Sequence, residues 1–158
     1  MKYFLIATVL GYIFTLPVYA DSDRFPPVTN DLTKKECGAC HMTFQPQLLP
    51  ERSWKAIMTD LDNHFGEDAS LDKETTYHIE EYLMKNAADT GWSSFWGSDM
   101  LRGVKKSQIP LRITKLPYWV HEHAEELSPS VWKRSDIRSK ANCLACHLDA
   151  DQGYYEDD

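Results

Sequence analysis

The 158-residue chain is predicted to be mainly α, with two small lobes of short helices and long irregular segments between them. Three observations predict this. All four cysteines fall in two copies of one five-residue pattern, one towards each end of the chain. Apolar residues recur at three- and four-residue spacings, as on one face of a helix, and alternating strand-like runs are scarce. The chain is also short, so two lobes would each have a small apolar core and would need a staple.

The first twenty residues read as an address rather than as part of the fold. Lys2 precedes an apolar stretch from Tyr3 to Val18, Val18-Tyr19-Ala20 forms a small-x-small site, and Asp21-Ser22-Asp23 turns abruptly polar. These are the three regions of a cleavable secretory signal peptide. The apolar run is short for a spanning helix and Pro17 breaks its end, so no stable membrane insertion is expected after cleavage. Export places the cysteines in an oxidising compartment, where unmodified thiols seldom persist.

Each element of the exported part then has a local reason. Residues 21–36 read as irregular around Pro26-Pro27, and Met42 to Pro50 as a loop. A helix is expected from Glu51 to Phe65, placing Trp54, Ile57, Leu61 and His64 on one face. Ser70 is the expected N-cap of a second helix that runs to about Ala87. Residues 89–108 are expected to connect an N-terminal lobe (21–88) to a C-terminal lobe (109–158), with Trp92, Phe95 and Trp96 packed down. Pro117 suits the first turn of a third helix ending near Leu127, and Val131 to Ser139 reads as a short helix. The tail from Asp149 carries five acids in ten residues and is expected to be mobile.

Cys37-Gly38-Ala39-Cys40-His41 and Cys143-Leu144-Ala145-Cys146-His147 both read C-x-x-C-H, the attachment pattern of c-type haem. Two thiols add across the vinyl groups of one haem, and the histidine on the following turn reaches the iron. Cys37, Cys40, Cys143 and Cys146 are thus the candidate cofactor-binding residues of two covalently bound haems, with His41 and His147 as iron ligands. A zinc ribbon would need its pairs about 15–20 residues apart, whereas 102 residues separate Cys40 from Cys143. Two disulfides would leave both trailing histidines unexplained. A haem plate also supplies the apolar surface that each small lobe lacks.

The second axial position decides function, because it can take histidine, methionine or nothing. His64 extends the apolar face of Trp54, Ile57 and Leu61. His123 shares a face with Trp119, Val120 and Leu127. His121 points elsewhere and His78 borders its stripe, while Met58, Met84 and Met100 are alternatives that more often fill cores. The economical pairing is His41 with His64 and His123 with His147, with the crossed pairing also open. Two bis-histidine irons would relay electrons at low potential; one open or labile site would instead mean a haem enzyme or a gas-binding protein. The net charge of −7 argues against nucleic acid as a partner, and no glycine-rich phosphate loop or hydrolytic triad is present, so no catalytic residues are assigned. From Arg102 to Lys140, however, nine basic residues face four acids. These cations are either a solvated face or a set that neutralises haem propionates or docks a partner.

The stretches Glu36–Met42 (ECGACHM), Leu48–Trp54 (LLPERSW), His64–Leu71 (HFGEDASL), Arg112–Thr114 (RIT), Trp119–His123 (WVHEH) and Cys143–His147 (CLACH) together resemble the small bacterial dihaem cytochrome c family. The resemblance runs in order over nearly all of the exported chain. It implies two lobes, bis-histidine haems with His64 and His123 in ligand positions, and periplasmic electron transfer. It further implies a membrane cytochrome b and a small oxygen-binding monohaem cytochrome as redox partners.

Overall fold

A computed structural model describes residues 24–156. The signal peptide read in residues 1–20, and the last two acids of the tail, lie outside the described residues. Five α-helices and six short 3-10 turns carry the fold, and two isolated bridges are the only β-pairing among the described residues.

Helix α1 is Asp31–Cys37, where an irregular segment was expected. Asn30 caps it: its side-chain oxygen accepts from the Thr33 amide at 2.8 Å, and Asp31 places negative charge in the first turn. The helix stops at Gly38, whose Cβ, if it had one, would meet the Lys34 carbonyl oxygen at 2.3 Å. Cys37 is thus delivered on the last turn of a helix.

Helix α2, Glu51–Thr59, begins after Pro50 as expected but ends early. Asp60 leaves helical geometry at φ −125°, ψ 40°, and a 3-10 turn over Leu61–Asn63 replaces the expected continuation to Phe65. Helix α3 is Lys73–Lys85; Asp72, rather than Ser70, caps it, accepting from the Glu74 and Thr75 amides at 3.0 Å each. It packs along α2 and buries Ile79 and Leu83.

Helix α4, Ser93–Gly97, falls inside the expected connection. The segment does pack, but not through its aromatics: Trp92 is 94% exposed and Phe95 76%. Ser93, Gly97 and Met100 are buried instead, and a Cβ on Gly97 would meet the Ala88 Cα at 2.5 Å. Small residues allow a close backbone approach that indole rings on the same face would forbid. Helix α5, Pro117–Glu126, matches expectation, whereas the helix expected over 131–139 shrinks to a 3-10 turn at Val131–Lys133.

The acidic tail is packed rather than mobile as far as Glu156. Arg24 bridges Tyr154, the Phe25 amide donates to the Gly153 carbonyl at 2.8 Å, and Ala150 is fully buried. Gly153 has φ +90°, and a Cβ there would lie 2.0 Å from the Phe25 carbonyl oxygen, so glycine alone fits. The core joins Phe25 and Leu48 from the N-terminal part to Leu116 and Trp119 from the C-terminal part.

Candidate haem sites

The two C-x-x-C-H segments enter by different local structure. In the first, Cys37 closes α1 and the chain turns through Gly38 so that His41 projects beside Phe44, their ring centres 5.0 Å apart. In the second, Cys143–Ala145 is a 3-10 turn, and the His147 amide donates to the Cys143 carbonyl at 2.8 Å. That bond brings both sulfurs and the imidazole round one turn. None of the four cysteines pairs as a disulfide; burial pushes the thiols of Cys37 and Cys143 up to about 11.

His64 lies 6.3 Å from His41 between ring centres, with the two ring planes 20° apart. It is not on a helix: it follows the 3-10 turn, forms a bridge with Glu67, and precedes Phe65 at φ 56° and Gly66 at φ 102°. Two consecutive left-handed residues turn the chain back sharply behind it. Burial, with His41 and the Arg112 guanidinium nearby, holds the His64 imidazole below its ordinary value, favouring the neutral form that binds metal. Arg112 itself lies over the Phe65 ring at 4.0 Å.

His123 lies 6.0 Å from His147 between ring centres, the planes crossing at 82°. It sits in α5 and stacks on Trp119 at 4.0 Å and 18°. Its Nδ1–H donates to the Trp119 carbonyl at 2.9 Å, which turns Nε2 away from its own helix. Both histidines and both cysteines line one cavity of about 320 Å³, together with Trp119, Trp132 and Tyr155. Lys140 lies over Trp132 at 5.0 Å and Trp119 at 5.6 Å, at the same cavity.

These separations test whether a haem iron fits. Two imidazoles on opposite faces of one iron place their ring centres about 6 Å apart, from metal–nitrogen bonds of roughly 2 Å and the ring radii. Both pairs meet that requirement. The structure thereby brings His41 to His64 and His123 to His147, and does not bring the crossed pairs together. His78 is engaged elsewhere, accepting from the Asn30 side-chain amide at 2.9 Å, and His121 faces Glu125 at the surface. Met58 and Met100 are buried in the core.

Residues 33–155 match the family described as dihaem cytochrome c. The chain belongs to that family. Its fold is similar to that of a dihaem cytochrome c from Rhodobacter sphaeroides, at 48% identity and TM-score 0.75, covering 82% of this chain and 99% of the other. A second structure, of the protein purified from Rhodobacter sphaeroides, matches at 46% and 0.66 over 81% and 98% of the two chains. The dihaem cytochrome of Shewanella baltica OS155 matches at 33% and 0.62 over 78% and 84%. No curated protein sequence matches. As a dihaem cytochrome c, the protein carries two covalently bound c-type haems and is an electron-transfer cytochrome. No helix among the described residues is long and apolar enough to cross a membrane.

Sequence reasoning placed Trp119 on the face of His123 but missed two residues around this dihaem cytochrome's sites. Tyr155, with its ring centre 5.6 Å from that of His147, was hidden in a tail read only for its charge. Gln45, buried in a segment read as loop, carried no signal at all.

Proposed function

We propose that this dihaem cytochrome relays single electrons between protein partners in the periplasm. His41 and His64 would hold one iron, His147 and His123 the other. Cys37 with Cys40, and Cys143 with Cys146, would anchor the two macrocycles. The observation that carries this reading is the pair of imidazole separations, 6.3 and 6.0 Å. Bound haem supplies a reversible one-electron change at iron. The chain's own residues do the rest. The histidines would hold each iron from both sides and so exclude substrate, and Trp119, Trp132 and Tyr155 line the second cavity with aromatic surface. Arg112 and Lys140, each held over an aromatic ring, are placed to neutralise propionates. Export rests on the leader in residues 1–20. A membrane cytochrome b as donor and a small oxygen-binding monohaem cytochrome as acceptor follow from the family resemblance.

One feature favours a second reading, catalysis or gas binding at one iron. His64 stands in a loop rather than a helix, which makes it the easier ligand to displace. Absorption spectra of the matured protein, ferric and ferrous, with haem counted per chain and carbon monoxide added, separate the two. Two low-spin haems that ignore carbon monoxide support the relay. A carbon monoxide-induced shift in one haem would move the function to the open site.

A further inference from the structure

Each haem motif sends a short following segment to meet the other's. After the first motif, the Phe44 ring lies against His41, and Gln45 comes next, wholly buried. After the second motif, the Tyr155 ring lies against His147. Gln45 joins the two. Its Oε1 accepts from the Tyr155 hydroxyl at 2.6 Å, and its Nε2 donates to the Ala150 carbonyl at 2.7 Å. The second bond fixes which end of the amide faces the tyrosine. A wholly buried glutamine with both ends bonded, tied into a tail that also pairs with Arg24 and Phe25, is a specific arrangement.

We infer that the Gln45–Tyr155 hydrogen bond is the through-protein path that couples the two haem sites for electron exchange. The inference rests on the axial pairs proposed above. Electronic coupling decays least along covalent bonds, more across a hydrogen bond, and most across a van der Waals gap. The path from His41 through Phe44 and Gln45 to Tyr155 and His147 is made of covalent bonds, two ring contacts and one short hydrogen bond. The exchange balances by itself: the ferrous site loses the one electron that the ferric site gains. The tyrosine keeps its proton, and no other oxidant is needed. Gln45 and Tyr155 are positioning residues, since they act through Phe44 and the two histidines.

The test uses the full dihaem protein, matured in cells, with Tyr155→Phe and Gln45→Met beside the natural sequence. Tyr155→Phe removes one oxygen and leaves both ring contacts, so a merely structural role would barely register. Sub-stoichiometric flash photoreduction followed by transient absorption reads the rate of equilibration between the haems. The expected result is a several-fold slower exchange in Tyr155→Phe, and at least as slow in Gln45→Met, with two low-spin haems retained. An unchanged rate in Tyr155→Phe overturns the inference, whatever Gln45→Met does. Failure of the axial reading would register separately, as carbon monoxide binding by the natural sequence.

Discussion

His64 reaches His41 from a loop, whereas His123 reaches His147 from within a helix. The first proposed distal histidine is set by two left-handed residues behind it, Phe65 and Gly66; the second by a helix turn, a carbonyl acceptor and the face of Trp119. The rings are near parallel at the first site and near perpendicular at the second. Each site has one cation on an aromatic ring, Arg112 on Phe65 and Lys140 on Trp132, but only the second is also bordered by Trp119 and the tail tyrosine. On the proposed axial pairs, the same donor set is built twice by different means. The distal ligand's support, not its identity, is what distinguishes the sites.

The most severe way to break the comparison is to remove one distal histidine at a time. His64→Ala and His123→Ala should each convert one haem of two to a carbon monoxide-binding form, read as half the spectral response of a fully opened protein. His123→Ala should also lower stability, because it removes the partner of Trp119. Trp119→Ala comes next. Trp119 is buried, and truncating such a ring costs about 3–5 kcal/mol. Chemical denaturation should report that loss, with spectral change confined to the second haem.

Gly153→Ala should follow in size. Forcing a side chain to positive φ costs about 1–3 kcal/mol, and its Cβ would press on the Phe25 carbonyl oxygen. Unfolding should show the loss while the first haem keeps its spectrum. The smallest effect concerns the surface beside the second site. Lys133→Glu with Arg134→Glu should lower the rate of electron transfer to an acidic partner at low salt and flatten its salt dependence. A rate already independent of salt in the natural sequence would remove this basic stretch as a docking surface.

How much of this was legible in the sequence depends on the range of the interaction. The C-x-x-C-H segments are local chemistry and were fully readable, as was α5, which opens on a proline. Helix α1 was readable in principle, because Asn30 followed by Asp31 is a capping signal, but Pro26-Pro27 drew the segment towards irregular. His64 was singled out for helical periodicity, yet the helix ends at Thr59, and the histidine arrives by a turn that periodicity does not encode. The tail was misread because its acids describe solvation, while Gly153, Tyr154 and Tyr155 do the packing against residues more than a hundred positions away. The exposed Trp92 and Phe95 failed for a related reason: closeness of backbones, set by Gly97, outranked hydrophobicity.

Electron paramagnetic resonance of the fully oxidised protein tests the central claim, two bis-histidine irons of unlike ring geometry. The angle between axial imidazole planes governs the splitting of the iron d orbitals and hence the anisotropy of a low-spin ferric signal. The account predicts two low-spin signals of equal weight and no high-spin signal. One should be rhombic, from the near-parallel pair His41 and His64, and one highly anisotropic, from the crossed pair His123 and His147. His123→Ala should abolish only the second. A high-spin signal at either iron, or two indistinguishable low-spin signals, would contradict it.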